Sequence, residues 1–344
     1  MRDLKWTRKT TRKVARQLRR LDIRVSANTV GRLLKAMGFS LRVNHKNLES
    51  GNKNPPPRRV RNRQFQYINR SRKQFASQGK PIISVDAKKK EKVGKFKNPG
   101  VSWQQEAHRV NDHDILSDAV GMAISYGIYD TEANKGFVVV GTSHETPAFA
   151  VNSIAFWWKK WGMSMYPKDD ELLILADCGG ANSARARAWK YHLQYQLCDP
   201  YGLTITVCHY PPGASKWNPI EHGLFSHISN NWAGIPLESY KTVLNYIRTT
   251  KTDPGLRVKA HLVRKNYDKG ERISNSEMAD LVFTPPPNSA RLELHTGSVK
   301  NVKLFLRSPL GGYETSSLLP DDTKSCRSFI FICCHDGEYG LTGV

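Results

Sequence analysis

Leu172-Leu173-Ile174-Leu175-Ala176-Asp177 is an apolar run that stops on an acid, and the rest of the chain organises around it. Upstream, Pro81-Ile82-Ile83-Ser84-Val85-Asp86 is built the same way. Both runs are short and aliphatic, as buried strands are. An aspartate closing such a run emerges at the strand end, and in open α/β sheets ligands collect along that edge. Taken singly, either aspartate would serve equally well as a helix cap or a turn former.

The order of elements supplies the frame. Residues 82–86, 121–129, 136–141, 172–177 and 204–209 read as strands, and 148–161 and 183–198 as helices, the former announced by Thr146-Pro147. Three strands, then helix, strand, helix, strand and helix is the order of a ribonuclease H-like fold: a β-meander followed by βα crossovers onto a mixed sheet. The polar segment 91–117 reads as a long loop inserted after the first strand. A last helix is expected to start after Asn218-Pro219, with Asn218 as N-cap and Pro219 at its first position. At 100° per residue, Ile220, Leu224, Phe225, Ile228 and Trp232 form one stripe and Glu221 falls within it, turning that glutamate toward the sheet.

Charge is distributed unevenly. Residues 1–80 hold 23 Lys and Arg against three acids, whereas the other 264 residues hold 30 against 27. A basic front end on a nearly neutral body fits a polyanion-binding module joined to another domain. Within 10–42, Val14, Leu18 and Leu21 mark one short helix. Val30, Leu33, Leu34 and Met37 mark a second, from about Ala27 to Met37, with Gly38 as its stop. This pair reads as a helix-turn-helix that leaves Asn28, Thr29, Arg32 and Lys35 facing DNA. Residues 52–57 break the pattern with three prolines, and 58–78 read as a basic helix beginning at Arg58 and Arg59.

Six cysteines show no metal-ligand spacing, which argues against zinc and for a reduced interior. The start lacks an apolar signal core, and no apolar run approaches the roughly 20 residues of a membrane helix. The chain therefore reads as soluble and cytoplasmic, without a membrane partner.

Asp86, Asp177 and Glu221 together are more specific than any one of them. Buried carboxylates demand compensation, and three oxygen donors suit Mg²⁺, with Mn²⁺ able to substitute. Two such ions can activate the attacking oxygen and stabilise the leaving oxygen of a phosphodiester substitution. The other acids considered, Glu91, Asp112, Asp114, Asp118, Asp130 and Asp199, fall in segments where solvated side chains are the default. Lys216 and Lys88 are candidate contacts to a DNA backbone. His222 reads first as a helix-surface histidine, and Trp217 first as packing at the helix start, with stacking on a base as its alternative.

Several strings resemble one family. They are Ser84-Val85-Asp86-Ala87-Lys88-Lys89-Lys90-Glu91, Phe96-Lys97-Asn98, Tyr126-Gly127-Ile128-Tyr129-Asp130, Phe156-Trp157-Trp158-Lys159 and, above all, Cys208-His209-Tyr210-Pro211-Pro212-Gly213 followed by Ser215-Lys216-Trp217-Asn218-Pro219-Ile220-Glu221-His222. Over about residues 5–295 the chain resembles the Rhodopirellula-type DDE transposases of bacterial insertion sequences. The resemblance implies that Asp86, Asp177 and Glu221 are the catalytic, metal-binding acids of a ribonuclease H-like core. It also implies an enzyme that cuts DNA at terminal inverted repeats and transfers the freed strands into target DNA as a homo-oligomer, in a bacterial cytoplasm near the nucleoid. Cys178 stands where the family usually has glycine. Family members generally carry further N-terminal sequence, so the helix-turn-helix region is expected to be incomplete.

The expected organisation is α/β: a small helix-turn-helix over 1–50, a Pro-rich break and basic helix over 51–80, and the catalytic core over 81–295. Residues 296–344 lack clear periodicity and read as an atypical tail, frameshifted or disordered. A DNA-binding regulator or inactive remnant, and a structure-specific nuclease on the same fold, are the competing functions.

Overall fold

The computed structural model describes residues 9–40, 57–282 and 329–332. The chain divides into two units, Met1–Lys53 and Asn54–Val344.

In the first unit, α1 (Thr11–Arg19) starts where the Thr10 hydroxyl accepts from the Lys13 amide. Helix α2 (Ala27–Ala36) starts where Ser26 accepts from Thr29 at 3.0 Å. These caps satisfy amides that the first helical turn leaves without partners. Gly38, at φ 81°, ends α2 in the left-handed region that glycine enters without strain. Val30 is buried, but Leu33 and Met37 of the expected apolar face are 51% and 66% exposed. Two helices of nine and ten residues offer each other too little surface to cover both stripes. Asn28, Arg32 and Lys35 are exposed and Thr29 is half-buried. Most of the expected Pro-rich break lies outside the described residues.

The second unit opens with α3 (Arg58–Ser77), which follows Pro57 directly and buries Gln64, Ile68, Ser71 and Phe75. The strands are β1 (Ile82–Ala87), β2 (Glu91–Val93), β3 (Gly121–Asp130), β4 (Lys135–Gly141), β5 (Glu171–Ala176), β6 (Thr204–His209), β7 (Arg257–Val263) and β8 (Phe329–Ile332). They form one sheet in the order β7-β4-β3-β1-β5-β6-β8, with β2 paired to β3. Strands β1, β3 and β4 are the antiparallel meander, and β5 and β6 run parallel to β1. This is the ribonuclease H-like arrangement.

Three strands were not expected. β2 is only three residues long and lies inside the segment read as a loop. β7 reads Arg-Val-Lys-Ala-His-Leu-Val, and its mixed burial is that of a partly covered edge strand. β8 pairs in parallel with β6 from within the segment read as an atypical tail; the rest of that tail lies outside the described residues.

Strand alternation sends Ile83, Val85, Leu172, Ile174, Ala176, Ile205 and Val207 to one face. Helix α4 (Pro147–Trp157) and the helix Arg187–Leu193 cover that face with Trp157 and Trp189 among their contacts. On the opposite face α3 packs over Ile82, Leu173, Leu175 and Cys208. Beside it, the 219–231 helix and the helix Tyr240–Thr249 pack over Ala123, Val138 and Val140. Burying each such aliphatic side chain contributes about 1.5–3 kcal/mol. Among the described residues no helix is long and apolar enough to cross a membrane.

Candidate active site

Asp86 and Asp177 are neighbours by register. Strand β1 pairs with β5 in parallel up to Val85↔Ala176, so the next residue on each strand is the aspartate. Adjacent strands run about 4.8 Å apart. Residues 82, 84 and 86 share a face, and it is the face that the 219–231 helix covers.

That helix reaches the aspartates because glycine lines its path. Gly127 stands opposite Asp86 on β3, and a β-carbon there would collide with Phe225 and Ile220. A β-carbon on Gly223 would in turn collide with the Tyr129 ring. The helix is also tied directly to β1. The Ser84 hydroxyl donates to Asn218 Oδ1 and accepts from the Ile220 amide at 3.0 Å, and Asn218 Nδ2 donates to the Val85 carbonyl at 3.3 Å. Asn218 was expected to cap the helix with its side chain; it uses that side chain to bind β1 instead. Its carbonyl receives the Glu221 amide at 3.1 Å. The first turns form a π-helix over Glu221–Phe225, and Ile220, Leu224, Phe225, Ile228 and Trp232 are all buried while Glu221 is half-buried.

Burial and neighbouring negative charge act together on the acids. Asp86, 9% exposed, has its carboxyl pushed up to about 8, first by burial and then by Asp177, with Glu221 and Glu145 adding to the rise. Its own Oδ1 accepts from the Ala87 amide at 2.7 Å, which opposes the shift. Burial raises Asp177 as well, against the Gly179 amide at 3.2 Å, and Glu221 and Glu145 raise it further. Glu221 is raised by burial, while His222 and Lys88 hold it down. The buried Tyr126 phenol feels Asp86, Asp177 and Glu145 together. It donates to Asn182 Oδ1 at 2.7 Å, and the Asn182 carbonyl meets His209 Nε2 at 2.8 Å, fixing the loop that follows Asp177.

Glu145 was not anticipated. It precedes the Thr146 cap of α4, pairs with Lys90 at 3.3 Å and lies over Gly180 in the Asp177 loop. Nothing in Thr142-Ser143-His144-Glu145 marks it locally; only the fold carries it to the acids.

Lys88, expected at the DNA, and Trp217, expected to pack at the helix start, both differ from expectation. Lys88 is only 9% exposed, with Nζ 2.7 Å from Glu91 and 4.6 Å from the Trp232 ring centre, so its ammonium is held inside rather than offered to solvent. Strand alternation explains this, since Lys88 continues the inward series Ser84 and Asp86. Trp217, expected to pack, is 61% exposed. Lys216 is exposed beside it, and His222 Nε2 meets the Lys216 carbonyl at 2.9 Å. Arg58 and Arg59 are exposed at the start of α3. Among the acids set aside, Asp130 is fully buried rather than solvated: its carboxylate accepts from the Ala133 amide and the Tyr166 hydroxyl.

The donor set is all oxygen and concentrates negative charge in a largely buried place, which fits a hard divalent cation. As the side chains stand, no group of three or more His, Cys, Asp and Glu among the described residues closes on a single metal position.

Comparison with known proteins adds the family. No curated protein matches the chain. Among solved structures, a Mos1 transposase paired-end complex with the left transposon end aligns at 15% identity and TM-score 0.41, over 69% of this chain and 65% of that one. A mariner Mos1 paired-end complex with Mg aligns at 16% identity and TM-score 0.44 over the same shares. This chain thus spans less than two thirds of the Mos1 chain. The family described as Rhodopirellula transposase DDE domain matches residues 1–291, so this chain belongs to that family.

Proposed function

We propose that the chain is a DDE transposase: it hydrolyses DNA at the ends of its element and joins the freed 3′-hydroxyls to target DNA. The observation that supports this reading is that strand register sets Asp86 beside Asp177, where burial first and then the neighbouring Asp177 and Glu221 charges raise the Asp86 carboxyl to about 8. Such a cluster is costly without positive charge, and Asp86 and Asp177 are the residues that would hold divalent ions, Mg²⁺ or Mn²⁺, with Glu221 completing the set. Bound ions supply activation of the attacking oxygen and stabilisation of the leaving oxygen. The protein's own part is positional. Asp86 and Asp177 are fixed by strand register, and Glu221 by the bonds from Ser84 and Asn218. Glu221 would orient the water or hydroxyl that attacks.

In this reading the terminal repeats are bound by Asn28, Thr29, Arg32 and Lys35 of α2, and Arg58, Arg59 and Lys216 hold phosphates on the catalytic body. Two ends must be joined in one event, which calls for a homo-oligomer on DNA in the cytoplasm. The test is strand transfer from a pre-cleaved element end. Joining that requires Mg²⁺ and disappears in Glu221→Gln is the expected result. Cleavage without joining, at ends and elsewhere alike, would replace the transposase with a structure-specific nuclease.

A further inference from the structure

Trp217 is an exposed aromatic on the turn that leads into the Glu221 helix, and its setting is built rather than incidental. It stands four residues before Glu221 in the turn Ser215–Trp217, and its amide donates to the Ala214 carbonyl at 2.8 Å. Ala214 and Tyr210 are buried against α3, so the turn rests on a fixed base. Phe65 of α3 meets the Trp217 ring in a T-shaped contact at 6.1 Å, 72° between planes, which supports the indole from the α3 side. Lys216 Nζ lies 5.6 Å from the ring centre. A side chain 61% exposed at the start of the helix that carries Glu221 is not there for core packing.

Helix α3 extends the same surface. Gln64 donates to the His209 carbonyl, and His209 stands beside Ala176, the residue before Asp177. The N-terminal half of α3 therefore lies along the edge where the acids emerge. The helix has seven Lys and Arg and no acid. Arg59, Arg63, Arg70 and Lys73 are exposed and fall in one arc of about 80°. Among the described residues none of these four has an ion-pair partner.

We infer that Trp217 stacks on an unpaired base at the end of a DNA duplex while the basic arc of α3 follows that duplex's phosphates, so that the end is presented to Asp86, Asp177 and Glu221. The inference rests on the transposase reading for its purpose, but its physical content is binding. An indole face accepts any base, and a row of arginines follows a backbone without reading sequence. The two elements have separate signatures: stacking discriminates frayed from paired ends, whereas phosphate contacts act on both and weaken with salt.

The test uses the full chain and duplexes of arbitrary sequence, one blunt and one with a three-nucleotide overhang carrying 2-aminopurine. Without divalent ions, the overhang duplex is expected to bind about tenfold more tightly than the blunt one, with 2-aminopurine quenched. Trp217→Ala removes both the preference and the quenching and leaves blunt binding unchanged; Trp217→Phe retains most of each. Arg59→Gln, Arg63→Gln and Arg70→Gln combined weaken both duplexes and lower the salt slope by roughly 3. An undiminished preference and quenching in Trp217→Ala would overturn the stacking role, and an unchanged salt slope would overturn the track. Failure of strand transfer with these binding results intact would count against the transposase reading alone.

Discussion

Two buried aspartates sit toward opposite ends of the β1–β3 pair. Asp130 lies opposite Ile83 and Asp86 opposite Gly127. Both are raised by burial, but their surroundings act in opposite senses. Around Asp130, the Ala133 and Glu132 amides, the Tyr166 hydroxyl and Lys135 all pull the carboxyl back down. Around Asp86, a single amide does so, and three further carboxylates push the other way. Asp130 is a satisfied structural acid that holds the turn into β4. Asp86 has no such set of donors around it, and on the proposed function bound cations would supply the missing positive charge.

The comparison can be broken first by activity. Asp86→Asn, Asp177→Asn and Glu221→Gln are each expected to cut the strand-transfer rate by about a thousandfold or more, roughly 4 kcal/mol of barrier. Asp130→Asn stays within about tenfold per folded molecule. Equal losses in Asp86→Asn and Asp130→Asn would erase the distinction.

Stability gives the next contrast. A carboxyl whose folded value is about 8, against an ordinary 3.8, favours the protonated form on folding. Its contribution is full below about pH 4 and is lost as pH rises through 8. In chelator, Asp86→Asn should therefore be more stable than the parent at pH 8, on the order of 1–3 kcal/mol, and no more stable at pH 4. Melting curves across this range check it, and a pH-independent difference would refute it. Asp130→Ala moves the other way, losing about 1–3 kcal/mol by denaturant midpoint as the Ala133 amide and Tyr166 hydroxyl lose their acceptor.

Smaller effects probe the attachment of the Glu221 helix. Gly127→Ala forces Phe225 and Ile220 outward, costing about 1–3 kcal/mol and slowing joining without altering DNA affinity. Ser84→Ala removes the tie to Asn218 and Ile220 and costs about 1 kcal/mol. Unchanged joining in both variants would mean that this attachment does not position Glu221.

Much of this was legible in the sequence because it is encoded locally. Strands β1, β3, β4 and β5 are largely apolar runs, β6 alternates Thr204 and Thr206 with Ile205 and Val207, and the runs of β1 and β5 lead to Asp86 and Asp177. The inward stripe of the 219–231 helix followed from spacing alone, even though a π-turn replaces regular helix at Glu221. What escaped depends on distant partners. Glu145 sits in a polar loop with no periodic context, and Asn218 caps a helix on paper but bonds to β1 in the fold. β7 was missed because alternating Arg, Val, Lys and Ala at an edge resembles solvated loop. Lys88 was misjudged for a different reason. Its place in a run of three lysines suggested solvent, although the two-residue period from Ser84 through Asp86 already turned it inward.

On the proposed function the Asp86 edge is a cation site and the Asp130 end is not. Mn²⁺ titration followed by electron paramagnetic resonance tests it without any DNA. Saturable binding to the parent and to Asp130→Asn, lost in Asp86→Asn and in Asp177→Asn, is the predicted result. Binding that survives in both Asp86→Asn and Asp177→Asn would contradict it.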